Sequence, residues 1–180
     1  MNIANGEVPT SGADVILGTS GDDDIRGGGG NDTICGMGGD DIIRGNIGDD
    51  WIDGGGGVDT ILGGSGDDII FTGPGATVGS LSRVDGGPGD DEIHGGVDAD
   101  LILGGASRDT IFGGDGDDVI RGNGQIDIID GGAGDDDIRG NSGNDMLFGG
   151  LGNDLLHGGA GNSDLCDGGG EPGDTQIQCV

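Results

Sequence analysis

"GGSGDDIIF" (63–71) sets two adjacent carboxylates, Asp67 and Asp68, directly behind a Gly-Gly-Ser-Gly turn and directly before an aliphatic run. The arrangement returns in "GGDGDDVIR" (113–121) and "GGAGDDDIR" (131–139). Aligned on Gly-Gly-x-Gly-x-Asp-x-U-x, where U is a large aliphatic residue, the chain reads as seventeen units. The U residues are Ile16, Ile25, Ile34, Ile43, Ile52, Ile61, Ile70, Val84, Ile93, Ile102, Ile111, Ile120, Ile129, Ile138, Leu147, Leu156 and Leu165. Every step is nine residues except the fourteen from Ile70 to Val84, so five extra residues lie within "TGPGATVGSLSRVD" (72–85). A fixed short period marks an architecture in which each unit buries its apolar residue only by stacking on its neighbours.

Composition sets the energetic problem. Among 180 residues there are 50 glycines, and 35 acidic residues face only six basic ones, for a formal net charge of −29. Such a chain buries too little apolar surface to offset its ordering entropy, and its charges repel one another. It is either disordered or held together by a cation. The charge excludes partners as well. A polyanion gains nothing from phosphates, so nucleic acid is not an expected partner, and anionic membrane surfaces repel it. No apolar run exceeds three residues, so nothing here spans a bilayer, and residues 1–17 lack the pattern of a secretory signal peptide.

Local stereochemistry points to one cation class. A three-residue strand sends its middle side chain to one face and its flanking pair to the other, so one aliphatic per repeat points inward. Glycines allow the tight bend and leave backbone carbonyls free to converge. Hard Ca²⁺ takes six to eight oxygens from carboxylates and carbonyls, which a glycine-rich bend ending in Asp supplies. Of the acidic residues only Glu7, Glu92 and Glu171 are glutamates, consistent with a side chain that must reach back over its own bend. Asp67 adds negative field but is no obligatory ligand, because Val58, Arg108 and Ile126 stand at its position in other repeats.

The repeat resembles the RTX, or haemolysin-type, calcium-binding nonapeptide repeat over about residues 9–166. The resemblance implies an all-β, right-handed parallel β-roll with two nonapeptides per turn, a strand at x-U-x and calcium ions in the Gly-Gly-x-Gly-x-Asp bends. Residues 1–8 are then a lead-in, 9–166 the roll with its insertion at 72–85, and 167–180 a C-terminal cap. Alternate bends stack on opposite edges, so the implied metal ligands form two ladders. One is Asp14, Asp32, Asp50, Asp68, Asp91, Asp109, Asp127 and Asp145; the other is Asp23, Asp41, Asp59, Asp100, Asp118, Asp136 and Asp154. An ion between each neighbouring pair gives about twelve complete Ca²⁺ sites, which bring the charge to about −5. Ser163 at the ligand position of the last repeat weakens the end of the first ladder. At the insertion the second ladder is interrupted, with Thr77 or its neighbours in place of a carboxylate, so missing or non-standard calcium and a protruding loop are expected there. Asp98, Ser107 and Gln125 replace the fourth glycine of their bends, which bears on local bend geometry.

The remaining features have plain readings. The Gly-Gly-Gly-Gly runs lack the lysine of a phosphate loop, there is no Gly-x-Ser-x-Gly, and paired aspartates repeated along the whole chain argue for cation ligation over acid–base catalysis. No enzyme is expected. His94 and His157 fall at outward positions and are expected as surface histidines. Cys166 and Cys179 bracket the post-repeat tail, where a disulfide closes the end of the roll; a free buried pair is the alternative, and a secreted setting favours the bond. Cys35 has no evident mate and is expected as a free thiol. Two repeats per turn place Trp51, Phe71, Phe112 and Phe148 on one face, with Arg26, Arg44, Arg121 and Arg139 on the other. The expected role is a calcium-folded structural module of a secreted, extracellular protein, since arrays with affinities of about 10⁻⁴–10⁻³ M suit extracellular calcium. The alternative is a calcium-dependent self-assembling or adhesive protein acting through the aromatic face.

Overall fold

Each x-U-x triplet is too short to bury anything alone, and the chain solves this by returning to the same place every second repeat. The computed structural model describes residues 9–75 and 81–179. Among these there is no helix, and two nine-stranded parallel sheets face each other. The first sheet holds β1 (Val15–Leu17), β3 (Thr33–Cys35), β5 (Trp51–Asp53), β7 (Ile69–Phe71), β9 (Glu92–Gly96), β11 (Thr110–Asp115), β13 (Ile128–Ala133), β15 (Met146–Leu151) and β17 (Leu165–Asp167). The second holds β2 (Asp24–Gly29), β4 (Ile42–Ile47), β6 (Thr60–Ser65), β8 (Ser82–Pro88), β10 (Asp100–Ala106), β12 (Val119–Gly124), β14 (Asp137–Ser142), β16 (Leu155–Ala160) and β18 (Thr175–Ile177). Successive strands alternate between sheets, which makes a parallel β-solenoid of about nine turns.

Register follows the aliphatic period. Ile16 pairs with Ile34, Ile34 with Ile52 and Ile52 with Ile70, each one turn apart. The sixteen aliphatics from Ile16 to Leu156 are fully buried and form one continuous core between the sheets. The insertion leaves this register intact, because β8 pairs Ile61 with Val84 on one side and Val84 with Ile102 on the other. The expected protruding loop falls on residues 76–80, outside the described residues.

The last turns depart from a strict nine. Leu165, expected inward, is 49 % exposed, and Cys166 takes the inward position opposite Leu147. One extra residue is absorbed in the bend before it. The shift carries Asp164, rather than Ser163, to the buried bend position, where its Oδ1 accepts the Asp145 N–H at 3.0 Å. A buried backbone donor must find an acceptor, whereas Leu165 at the end of the stack has little core to enter. In β18, part of the stretch expected as a cap, Gln176 stands opposite Leu156, so a polar residue ends the second stack. Cys166 and Cys179 are joined by a disulfide, their Cα atoms 5.7 Å apart.

The bends need left-handed backbone, and some non-glycine residues adopt it. Ser107 (φ 102°) and Gln125 (φ 65°) follow the fourth glycine they replace, as Gly66 (φ 129°) does in the reference repeat. The bend geometry doubted at these two positions is therefore kept. The register carries a direct test. Ile111→Ala, mid-stack, should cost about 2–5 kcal/mol in denaturant unfolding at saturating calcium. Leu165→Ala should cost a small fraction of that; equal costs would put Leu165 back in the core.

Candidate metal centre

Asp68 shows how a bend is wired. Its Oδ1 accepts the Asp50 N–H at 2.8 Å, its own N–H donates to Asp91 Oδ1 at 2.8 Å, and its carbonyl accepts the Glu92 N–H at 2.9 Å. Each bond joins one turn to the next. Only Oδ2 is left, and it is buried with no hydrogen-bond partner. The same wiring runs up the first edge from Asp14 to Asp164 and up the second from Asp23 to Asp59 and from Asp100 to Asp174, with N···O distances of 2.8–3.1 Å. Among the described residues, Oδ2 is buried and partnerless at Asp32, Asp41, Asp50, Asp59, Asp68, Asp91, Asp109, Asp118, Asp127, Asp136, Asp145, Asp154 and Asp164.

The first glycine of each bend makes room for that oxygen. A Cβ built on Gly54 would lie 2.5 Å from Asp59 Oδ2 and 2.7 Å from the Thr72 carbonyl oxygen, and one built on Gly63 would overlap Asp68 Oδ2 and lie 2.7 Å from the Gly86 carbonyl oxygen. A carboxylate oxygen from one turn and a carbonyl oxygen from the next thus converge beside a residue that can only be glycine. Among the described residues no group of three or more His, Cys, Asp or Glu side chains gathers as a metal cluster. A cation here draws much of its shell from backbone carbonyls, which suits hard Ca²⁺ and excludes soft thiolate or imidazole chemistry. A bare buried oxygen with a full negative charge is costly. The residues present therefore fit a divalent, oxygen-seeking cation, which when bound supplies the positive charge these oxygens lack.

The two ends differ. Asp14 Oδ2 accepts the Thr10 N–H at 2.7 Å and the Thr10 hydroxyl at 2.9 Å, and Thr19 does the same for Asp23 at 2.6 and 3.0 Å. The first bend on each edge is thus closed by its own threonine. Asp164 and Asp174, absent from the sequence-derived ligand set, extend both ladders at the other end. "GGAGNSD" and "GGGEPGD" hide them by one extra residue each, so a search allowing that slack finds both. At the insertion Ser82 and Thr72 stand at the interrupted level; Thr77 lies outside the described residues. Ser82 Oγ accepts the Asp59 N–H at 3.2 Å.

Asp67 belongs to a second, outer ladder running the opposite way. Asp67 N–H donates to Asp49 Oδ1 at 3.1 Å, and Asp67 Oδ1 accepts the Asp90 N–H at 2.9 Å. Val58 and Arg108 join as backbone N–H donors without a carboxylate of their own, which explains why one is dispensable there. The Arg108 backbone N–H at 3.0 Å, and then its guanidinium at 2.7 Å, hold the exposed Asp90 carboxyl below its usual range. His94 is no simple surface histidine: its ring stacks between Phe71 and Phe112, with centroids 4.6 and 5.0 Å away, while Nε2 lies 2.8 Å from Glu92 Oε1. Cys35 is a free thiol whose pKa is raised, first by burial and then by Asp53.

Burial raises the inner carboxyls well above the usual range, and the stacked neighbours add to it. Asp41, Asp50 and Asp109 are pushed up to about 6, Asp68, Asp91, Asp100 and Asp136 to about 7, and Asp118 and Asp127 to about 8. In the unfolded chain they titrate near 3.9. A group whose folded pKa is raised stabilises the fold fully below its unfolded pKa and loses that contribution as pH rises through the folded value. In chelator, acidification from pH 8 to about 4.5 should therefore increase β-structure in circular dichroism. With calcium the ligands must be ionised, so the calcium midpoint should fall as pH rises from 6 to 8. Flat responses in both titrations would contradict the buried-carboxylate geometry. A second outcome concerns the two ladders. Asp118→Ala should raise the calcium midpoint severalfold, whereas Asp117→Ala, which removes one exposed acceptor from Asp135 N–H, should move it far less; equal shifts would mean that the ladders are misassigned.

The model of the RTX calcium-binding nonapeptide repeat family, which comprises four copies of the repeat, matches residues 9–43, 36–70, 44–78, 83–111, 94–129, 112–147 and 130–165. No curated protein matches the chain. The matched stretches cover most of the chain and coincide with the bends whose carboxylates are stacked turn on turn. The chain belongs to the RTX calcium-binding nonapeptide repeat family, and its fold is a calcium-binding parallel β-roll.

Proposed function

We propose that this β-roll is a secreted structural module without catalytic activity, unfolded where calcium is scarce and folded by extracellular calcium. The observation that carries the reading is the file of buried, partnerless Asp Oδ2 atoms along both edges. Each leaves the folded state short of one positive charge, and a divalent cation in each interval supplies it. The ligands are Asp32, Asp41, Asp50, Asp59, Asp68, Asp91, Asp100, Asp109, Asp118, Asp127, Asp136, Asp145 and Asp154, joined by Asp164 and Asp174, while Asp14 and Asp23 close the first bends with Thr10 and Thr19; the neighbouring pairs from Asp32 to Asp164, Asp41 to Asp59 and Asp100 to Asp174 then hold about twelve ions, completed by carbonyls of adjoining turns. Because each Asp is bonded to the turns on either side, filling one interval orders the next, and loading is cooperative. The product is a stiff rod that props or spaces whatever it is attached to.

A second reading is favoured by one feature of the first sheet. Trp51, Phe71, His94 and Phe112 form a continuous row, Trp51 tilted against Phe71 and His94 stacked between Phe71 and Phe112, and Trp51 and Phe112 each keep 38 % of their surface exposed. Exposed apolar rows of this kind support association between rolls as well as shielding of a thin core. One titration separates the readings. In excess chelator at neutral pH the chain should be disordered, and β-structure should appear cooperatively at about millimolar calcium, with light scattering constant for an isolated module. Scattering that rises with calcium would decide for assembly. Full β-structure after exhaustive metal removal would sink the folding reading.

A further inference from the structure

From Gly18 onward, one bend starts with a residue other than glycine, and it is the bend that carries the insertion: Thr72-Gly73-Pro74-Gly75. The backbone there is in register. Thr72 N–H donates to the His94 carbonyl at 3.0 Å, as Gly54 N–H does to the Phe71 carbonyl one turn earlier. Gly73 keeps the left-handed conformation of its position, with φ of 82°. At Thr72 and Gly73 the departure therefore lies in the side chain. Thr72 is 2 % exposed, and Ser82, which takes the Asp position of the same bend, is 5 % exposed.

The two substitutions compensate each other in volume and in bonding. At the neighbouring levels of this edge, a Cβ on the first residue would come within 2.5 Å of Asp59 Oδ2 at Gly54 and 2.7 Å of Asp100 Oδ2 at Gly95. A Cβ on that residue and an Asp Oδ2 cannot occupy one level together. Ser82 keeps the half of the aspartate that matters for the fold, since its Oγ accepts the Asp59 N–H at 3.2 Å. It lacks the other half, and the Thr72 side chain takes up the space left. The Thr72 hydroxyl points on to the next turn, donating to Asp100 Oδ2 at 3.4 Å. Asp100 is accordingly absent from the set of partnerless carboxylates, although its neighbour Asp118 is among them.

We propose that Thr72 and Ser82 form a cation-free rung, in which a hydroxyl and a methyl group stand where a calcium ion sits at the other levels. This rests on the calcium reading of the Asp ladders. The rung lets the second edge accommodate the insertion, because that level is joined to its neighbours by hydroxyl hydrogen bonds and needs no carboxylate of its own held in place by an ion. It also divides the second ladder into a short block ending at Asp59 and a longer one starting at Asp100. The first edge runs through Asp68 and Asp91 without a break, since Asp68 N–H reaches Asp91 Oδ1 at 2.8 Å across the same turn.

Calcium stoichiometry by equilibrium dialysis with metal analysis, and thermal unfolding midpoints at saturating calcium, test the rung on the whole chain with Thr72→Gly, Ser82→Asp and the double variant. Ser82→Asp alone should lower the midpoint, because its Oδ2 meets the Thr72 Cβ, and should bind no additional ion. The double variant should bind more Ca²⁺ per chain than the wild type, up to one ion in each of the two intervals flanking residue 82, and recover the lost midpoint. If Ser82→Asp alone fails to fold, recovery of folding in the double variant reads the same coupling. An additional ion in Ser82→Asp alone, or equal non-zero stoichiometries for the wild type and the double variant, would overturn the rung. A wild-type chain that binds no calcium would instead overturn the reading of the ladders, a result distinct from either.

Discussion

Each inner aspartate does two jobs with two oxygens, and the rest of the roll depends on that division. Oδ1 is bound to a backbone N–H of the preceding turn, which fixes the side chain and welds one turn to the next. Oδ2 is left in the same dry interval with nothing to bond. Burial at this place favours protonation, and Asp118 and Asp127, deep in their ladders, show it most strongly. A hydrogen-bond accounting that closes for the backbone thus leaves the side chains open by one charge per interval. On the proposed reading a divalent cation closes it, and ties folding to metal concentration.

The bend geometry follows from keeping that interval free of other atoms. Glycine at the first bend position is a requirement of space, because a Cβ would occupy the volume of Oδ2. Left-handed glycines such as Gly66 turn the chain tightly enough to bring carbonyls of adjoining turns to the same edge. The outer carboxylate of each Asp-Asp pair joins turns through a ladder of opposite polarity, with Asp67 accepting from Asp90 while Asp68 donates to Asp91. Adjacent aspartates of one bend are therefore different devices. The inner one must be Asp, or Ser where Thr72 fills the gap; the outer one tolerates any residue that keeps its N–H.

The ends of the stack obey the same constraint by other means. Thr10 and Thr19 satisfy Oδ2 in the first bends with their own N–H and hydroxyl groups. At the far end, Gln176 ends the aliphatic stack of the second sheet, and the Cys166–Cys179 disulfide ties the last strand of the first sheet to the chain's end. Stacked repeats need such terminal units, because the outermost turn has a neighbour on one side only.

The nine-residue period was enough to read one inward aliphatic per repeat and a bend suited to a hard cation, and the resemblance to the RTX repeat that it carries implied parallel strands, two rows of carboxylates and calcium. The first two are local properties, set by strand alternation and by what a glycine-rich bend can offer a hard cation. Places where two turns must fit each other were not legible. Ser163 looked like the last ligand position, yet only the Asp145 N–H one turn away demands an acceptor and draws Asp164 into place. Thr72 looked like the edge of an insertion, and only stacking against Gly54 and Asp100 shows that it fills the volume of an absent carboxylate oxygen. His94 looked solvent-facing until Phe71 and Phe112 closed on either side of it. Composition and period determined the repeat; contacts between turns, eighteen or more residues apart along the chain, decided which oxygens are left without a partner.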